Sequence, residues 1–86
     1  MIKIIRFSAN WCQPCKILSP IFNELQNEVS GVSFETVDVD NNKDKASHYS
    51  VSSIPTVIFE RNGQVIDRFT GVKSKTAIIA LINQYK

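Results

Sequence analysis

Cys12 and Cys15, the only cysteines of this 86-residue chain, lie at the point where an apolar run gives way to a helical pattern. Residues 2–7 are β-branched or aromatic apart from two basic residues, which is typical of a strand covered on both faces. Residues 14–29 carry apolar side chains at steps of three and four, which predicts a helix. The cysteine pair therefore begins a helix that directly follows a central strand.

The rest of the pattern completes one α/β domain over residues 1–86, with the element order β-α-β-α-β-β-α. After the first helix we expect a parallel strand, a short exposed helix, two hairpin strands and a final helix, at residues 33–40, 41–49, 56–59, 65–69 and from Ser74. Asn62-Gly63 supplies the positive φ angles that a tight hairpin turn requires. The predicted fold is a four-stranded mixed sheet with helices on both faces.

Charge and hydropathy exclude several classes of partner. The net charge is only +2 and the charged residues are scattered, so no nucleic-acid partner is expected. Basic residues interrupt the N-terminal apolar run and no cleavage site follows it, so we expect no signal peptide. No apolar stretch approaches the roughly 18 residues that a membrane span needs. The expectation is a cytoplasmic monomer that does not bind a membrane.

The position of the cysteines predicts their chemistry. A cysteine in the first turn of a helix faces free backbone N–H groups and the positive end of the helix dipole, which both favour the thiolate. Cys12 has this position, and Pro14 supports it because proline fits early helical positions. Cys15 lies one turn further in and should be more buried. We expect Cys12 to attack a substrate disulfide and Cys15 to resolve the mixed disulfide, with Lys16 supporting the thiolate.

Two other interpretations of the cysteine pair compete with this redox hypothesis. A structural disulfide would close so short a loop that it removes only about 2 kcal/mol of chain entropy. A zinc site usually needs four ligands, and besides the cysteines the chain offers only His48, on a polar segment. We therefore expect no metal site and assign His48 no role.

Several short motifs follow one another along the chain, namely Trp11-Cys12-x-Pro14-Cys15-Lys16, Pro20, Asp38-x-Asp40, Ile54-Pro55-Thr56, Asn62-Gly63 and Gly71. This set, in this order, resembles the thioredoxin family over nearly the whole chain. The resemblance implies a thioredoxin-like fold and the reduction of protein disulfides. It also implies that the redox-active disulfide is the only redox group, with no bound cofactor. The implied electron donor is a thioredoxin reductase that uses NADPH.

The resemblance further implies a substrate-binding surface. The peptide bond between Ile54 and Pro55 would be cis and face the cysteines, and Ile54 would offer its backbone to an extended substrate segment. Trp11, Pro55 and the Gly71-Val72 turn would form an apolar rim around the site. For Trp11 the alternative is packing in the core.

The chain departs from the family pattern at four places. Because the sequence begins at the central strand, we expect a short form without the usual N-terminal strand and helix, and Gln13 stands where a glycine is common. Arg6 stands where the family commonly has a buried Asp, and Thr36 aligns with a common lysine. The residues between the cysteines are one influence on the reduction potential, so Gln13 should affect it. Arg6 cannot replace the Asp as a base, because its guanidinium does not deprotonate in proteins.

For Arg6 we hypothesise a tuning role. It would lie under the active site and lower the cysteine pKa values by its charge, with Asp38 or Glu35 as its ion-pair partner. The alternation along a strand favours Asp38, which shares a face with Thr36. The alternative is that Arg6 extends to solvent along the sheet edge, with its stem packed and its head wet.

Two other functions stay open at this point. A glutaredoxin-like reductase that uses glutathione would suit the short length. However, glutaredoxins usually have an aromatic residue between the cysteines, Thr-Val-Pro in place of Ser53-Ile54-Pro55, and paired glycines where this chain has only Gly71. A binding module with this fold would dock through the Trp11 and Pro55 surface, and its redox activity would be incidental.

Overall fold

The computed structural model describes all residues, 1–86, and contains four strands and three helices in the predicted order. Their bounds are β1 Ile2–Ser8, α1 Gln13–Glu28, β2 Val32–Asp38, α2 Lys43–His48, β3 Thr56–Arg61, β4 Gln64–Thr70 and α3 Lys75–Tyr85. The α/β class and the element order are confirmed. Toward their turn, β3 runs two residues further and β4 one residue further than the sequence pattern indicated.

The strands form a single sheet in the order β2-β1-β3-β4. The pair β1 and β2 is parallel, whereas β3 is antiparallel to both β1 and β4. The predicted mixed sheet is therefore confirmed. Because β1 has a neighbour on each side, it is the central strand that its continuous apolar sequence predicted.

Each face of the sheet is covered by helices. On one face, side chains of β1 and β3 pack against α1 and α3, through Ile2, Ile4, Leu18, Phe22, Leu25, Val57, Phe59, Ile78 and Ile82. On the other face, a smaller cluster packs against α2, through Ile5, Phe7, Val37, Ala46 and Ile58. The period-two alternation of the strands sends consecutive residues of β1 to opposite layers. Arg6 thereby points to the same face as Ile4, beneath α1.

Local signals in the sequence explain the turns and helix starts. Asn62 and Gly63 both have positive φ, at +54° and +80°, as the hairpin turn requires. The hydroxyl of Ser74 accepts a hydrogen bond from the Ala77 N–H at 3.1 Å and caps α3. Both predictions are confirmed.

Polar contacts hold the small helix α2 to the sheet. The Tyr49 hydroxyl, next to the end of α2, donates to Glu60 Oε2 at 2.5 Å, and Glu60 is buried in β3. This hydrogen bond is the main cause that raises the pKa of Tyr49 to about 12. Glu35 of β2 pairs with Lys3 at 2.8 Å and with Lys45 of α2 at 2.5 Å. No helix of the protein has both the length and the apolar character that crossing a bilayer demands.

The ion pairs of Glu35 should make stability depend on pH in acid. Hydrogen bonds from Lys3 and Lys45 hold the pKa of Glu35 below its usual 4.5. The stabilisation is therefore complete above about pH 4.5 and is lost as the pH falls through the lower folded-state pKa. Because the pairs are partly exposed, we expect a loss of at most about 1 kcal/mol. Urea unfolding between pH 7 and pH 3 should show a flatter acid limb for Glu35→Gln than for the wild type.

Lys3→Met is the companion variant, because it removes one of the two cations and keeps the carboxylate. Lys3→Met should also reduce the loss of unfolding free energy in acid, but by less than Glu35→Gln does. Identical acid limbs for the wild type, Glu35→Gln and Lys3→Met would contradict a stabilising role for this cluster.

Candidate redox site

The two cysteines lie at the N-terminus of α1, just after the central strand β1. Cys12 is the N-cap residue, with extended backbone angles (φ −89°, ψ 112°). Its Sγ accepts a hydrogen bond from the Cys15 N–H at 3.2 Å, where a serine or aspartate oxygen usually sits in an N-cap. The cysteines form a disulfide with a Cα–Cα distance of 5.2 Å. The bond therefore spans one helical turn of a single rigid element.

The start of α1 favours negative charge at Cys12. Its first turn holds no acidic side chain, and Pro14 occupies one of the first two helical positions, as predicted. The Cys12 Sγ accepts a hydrogen bond from the Cys15 N–H, one of the free N–H groups at the positive end of the helix dipole. Gln13 and Lys16 are both exposed beside the pair. A helix N-terminus of this kind is an environment that favours the thiolate form of a reduced cysteine.

The two sulfur-bearing residues differ in exposure. Cys12 retains 5% of its accessible surface and Cys15 only 1%. They pack with Ala9, and the side chains of Val39 and Ile54 close the cluster. The order of exposure agrees with the prediction that Cys15 is the more buried of the two. Of the two cysteines, Cys12 is therefore the more accessible.

The loop before β3 lies against the cysteines, as the resemblance implied. The peptide bond between Ile54 and Pro55 is cis, and Ile54 packs against the cysteine cluster. The Gly71 N–H donates to the Pro55 carbonyl at 2.9 Å, which ties the turn after β4 to this loop. Gly71 has φ +94°, a conformation that favours glycine. Pro55 itself is fully buried, so it shapes the loop from below and is not part of an exposed rim.

Trp11 and Val72 are the exposed apolar side chains at the site. Trp11 is 69% exposed, which rules out the alternative that it packs in the core, and Val72 is 44% exposed. The indole Nε1 of Trp11 donates to Asp40 Oδ2 at 2.8 Å, so the ring is anchored at one edge while its faces stay accessible. An exposed indole held in place by its polar atom is well suited to contact a partner.

A groove of 390 Å³ runs beside Trp11 and is lined mainly by apolar side chains, namely Trp11, Val39, Ala46, Val51, Ser52, Ser53 and Ile54. Of these residues, the sequence had indicated only Trp11 and Ile54 as contact residues. Val39, Ala46 and Val51 come from the segments that flank and form α2. Nothing in the sequence indicated them as contact residues, because they reach the groove only when α2 packs on the sheet.

Arg6 is buried beneath α1, with only 6% of its surface accessible. Its Nη1 donates to Ser19 Oγ at 2.9 Å, and its Nη2 donates to Thr36 Oγ1 at 3.2 Å. The guanidinium carbon lies 5.2 Å from the centre of the Phe22 ring. The Nε atom is buried and has no hydrogen-bond partner. Burial lowers the pKa of Arg6, although a guanidinium stays charged in proteins.

Both sequence-based expectations for the contacts of Arg6 are wrong. Its head is not in solvent, and it pairs with neither Asp38 nor Glu35. Glu35 points to the opposite face of β2, where it binds two lysines. Asp38 ends the strand, and its carboxylate turns to the Asp40 N–H and the Asn41 side chain. The buried guanidinium therefore has hydroxyl partners only.

Metal binding finds no support in the arrangement of side chains. No three His, Cys, Asp or Glu side chains lie close enough together to hold a metal ion. His48 is exposed and stacks edge-on against Tyr49, with ring centres 5.1 Å apart.

Comparisons with known proteins agree with this geometry. A family model described as Thioredoxin matches residues 1–84. The thioredoxin of Chlamydia caviae is 45% identical over 82 residues, which cover 95% of this chain and 80% of that protein. The thioredoxin of Mycoplasma pneumoniae is 42% identical over 81 residues, which cover 94% of this chain and 79% of that protein. The structure of Fasciola hepatica thioredoxin is similar with a TM-score of 0.92 at 36% identity, over 99% of this chain and 81% of that one.

Proposed function

The chain belongs to the thioredoxin family, and from that premise we propose the role of each residue in its reaction. It is a thiol-disulfide oxidoreductase that reduces protein disulfides, and the Cys12–Cys15 pair is its redox group. The observation that carries the assignment of roles is the position of Cys12 as the N-cap of α1, with the more buried Cys15 one turn below.

The cycle has two exchange steps. The Cys12 thiolate attacks one sulfur of a substrate disulfide, so that a mixed disulfide forms and the other substrate sulfur leaves as a thiolate. Cys15 then attacks Cys12 Sγ, the bond to the substrate breaks, and the second substrate sulfur leaves as a thiol. Two electrons have passed from the dithiol to the substrate. The greater exposure of Cys12 supports its role as nucleophile, and the 5.2 Å Cα–Cα distance supports Cys15 as the resolving thiol.

Substrate binds across the surface formed by the exposed side chains of Trp11 and Val72 and by the loops that contain Ile54, Pro55 and Gly71. Ile54 offers its backbone to an extended segment of the substrate, in the manner of an added strand. The exposed faces of Trp11 and Val72 supply apolar contact on either side of it. Pro55 and Gly71 act from beneath, since their hydrogen bond fixes the two loops relative to each other.

Three residues near the cysteines tune the pair. Pro14 fixes the backbone at the start of α1. Lys16 adds positive charge near the thiolate, and Gln13 stands between the two cysteines, where the residues affect the reduction potential. The exposure of Gln13 and Lys16 supports an effect through charge and solvation, since neither packs in the core.

Removing the indole of Trp11 should weaken substrate binding without blocking the chemistry. The ring is an exposed, anchored aromatic side chain, a type that often contributes more than about 1 kcal/mol to binding. We expect Trp11→Ala to raise the KM for insulin by roughly 5-fold to 10-fold, because a loss of about 1.4 kcal/mol of binding free energy weakens affinity about tenfold. The measurement is steady-state reduction of insulin disulfides.

Val65→Ala is the matched control, because Val65 is 44% exposed on β4, outside this surface. It should leave KM unchanged. The rate with a small disulfide reagent should change little in Trp11→Ala, because such a reagent needs no extended docking surface. An unchanged KM for insulin in Trp11→Ala would contradict the docking role.

The electron donor is a flavin-dependent thioredoxin reductase that uses NADPH. Family membership supports this choice over glutathione, as does the absence of an aromatic residue between the cysteines. Insulin reduction should be fast with NADPH and thioredoxin reductase, and slow with glutathione and glutathione reductase. The reverse order would assign the chain to a glutathione-dependent cycle.

The protein works as a monomer in the cytoplasm, where thiols are kept reduced. Its similarity to bacterial thioredoxins supports this location. Its partners are protein disulfides, and neither nucleic acid nor membrane takes part in the reaction.

A further inference from the structure

The charge of Arg6 has no counter-charge within its own surroundings. Two hydroxyl oxygens accept from its Nη atoms, and its buried Nε has no partner at all. Buried charges in proteins are usually paired, since removal from water is costly. A hydroxyl dipole satisfies the geometry of a guanidinium N–H group but does not neutralise its charge. The Arg6 guanidinium can therefore stabilise an anion that forms near it beneath α1.

The elements packed around Arg6 offer few groups that could be that anion. From β2 comes Asp38, whose carboxylate is already bound to the Asp40 N–H and the Asn41 side chain. In the core cluster that contains Phe22, the aromatic neighbour of Arg6, β3 and α3 contribute the apolar side chains Val57, Phe59, Ile78 and Ile82. From α1 come the exposed cation Lys16, the two cysteines at its start, and Glu24 and Glu28, whose carboxylates both pair with Lys75 of α3.

Of the two cysteines, Cys15 is the better placed. Ser19, which accepts the hydrogen bond from Arg6, lies one turn after Cys15 on the same side of α1. Four residues along a helix correspond to about 6 Å of rise. Cys15 is also the more buried cysteine, so solvent screens its charge least. Cys12, in contrast, is already stabilised by the helix N-terminus.

We propose that Arg6 is a positioning residue for the resolving step, which supplies the buried positive charge that stabilises the Cys15 thiolate. This inference rests on the proposed function of the cysteine pair. Cys15 gives up its proton and attacks Cys12 Sγ, and the departing substrate sulfur takes up a proton as it leaves. The net step needs no carboxylate base, which agrees with the presence of an arginine where the family commonly has an aspartate. Arg6 itself gains and loses no proton.

The test measures the pKa of Cys15 in a Cys12→Ser background, where Cys15 is the only thiol and its thiolate absorbance can be titrated alone. Arg6→Met keeps the apolar stem and removes the charge. We expect it to raise the Cys15 pKa by about one pH unit, as the loss of a cation at this range predicts. Arg6→Lys keeps the charge and should restore most of the effect. Ser19→Ala, the matched control, removes only a hydroxyl partner and should leave the Cys15 pKa close to its starting value.

Thr36→Glu provides a second route if Arg6→Met does not fold. Thr36 is exposed on the edge strand β2 and already accepts from Arg6, so a carboxylate there would neutralise the guanidinium without removing it. This variant should also raise the Cys15 pKa. An unchanged Cys15 pKa in folded Arg6→Met or Thr36→Glu would overturn the role of Arg6. So would a Cys15 pKa in Arg6→Lys that equals the Cys15 pKa in Arg6→Met.

Insulin reduction by the wild-type protein separates this inference from the proposed function. An inactive wild type would overturn the assignment of the cysteines whatever the titrations show. If the wild type is active but the Cys15 pKa does not change in the Arg6 variants, only the proposed role of Arg6 is overturned.

Discussion

A Cys15→Ser variant is expected to accumulate as a covalent mixed disulfide with its substrate. Cys12 can still attack, because its sulfur remains the accessible one at the N-terminus of α1. The serine hydroxyl cannot complete the second exchange, so the mixed disulfide persists. In Cys12→Ser the remaining thiol is the residue with only 1% exposure, and it should trap no substrate. Both variants should lose catalytic reduction of insulin down to the background rate.

The trapped species is measured on non-reducing gels and by mass spectrometry, and dithiothreitol should release it. The double variant Cys12→Ser, Cys15→Ser is the matched control and should trap nothing. Equal trapping by the two single variants would contradict the assigned roles. A double variant that still supports growth in a complementation test would instead favour the binding-module alternative.

A Phe22→Ala variant is expected to lose a large fraction of the stability of the domain. Phe22 is 2% exposed in the cluster between α1 and the sheet, and its ring meets Phe34 edge-on at 6.2 Å. It also forms the aromatic wall beside Arg6. Truncation of a buried Phe to Ala typically costs about 3–5 kcal/mol. Small domains often have a total stability of only about 5–15 kcal/mol, so the loss should be a large fraction of it.

Urea unfolding followed by circular dichroism measures this loss. Ile17→Ala is the matched control on the same helix, because Ile17 is 55% exposed. It should change the free energy of unfolding by no more than about 0.5 kcal/mol. A loss below about 1 kcal/mol in Phe22→Ala would contradict a well-packed core at this position.

The backbone plan of this protein was predictable because it follows from local pattern. Apart from Lys3 and Arg6, residues 2–7 are apolar on both faces, because β1 has strands on each side and helices above and below. Asn62 and Gly63 specify their turn by conformational preference alone. The cysteine spacing likewise places both sulfurs on one turn of α1.

The surroundings of Arg6 were not predictable in the same way. Its two partners, Ser19 and Thr36, lie 13 and 30 residues away along the chain. The alternation of side chains along the strands correctly placed Arg6 and Asp38 on one face. It could not show that Asp40 and Asn41, in the loop after β2, would donate hydrogen bonds to the Asp38 carboxylate. Hydroxyl residues carry no charge pattern, so nothing in the sequence marked Ser19 as a partner.

The substrate surface was predictable in part. Trp11 was expected at the site and is exposed there, but its anchor Asp40 was noted only as part of a motif. Pro55 was expected at the rim and is buried instead, with its carbonyl bound to the Gly71 N–H of the turn after β4. Such details depend on how loops from distant parts of the chain meet.

The reduction potential of the Cys12–Cys15 pair tests the central claim that this protein works as a reductant. The wild-type protein is equilibrated with glutathione redox buffers, and the oxidised fraction is read after thiol alkylation. We expect a potential between about −270 and −200 mV, the range of thioredoxins and glutaredoxins. A potential near −120 mV, roughly that of a strong disulfide oxidant, would contradict it.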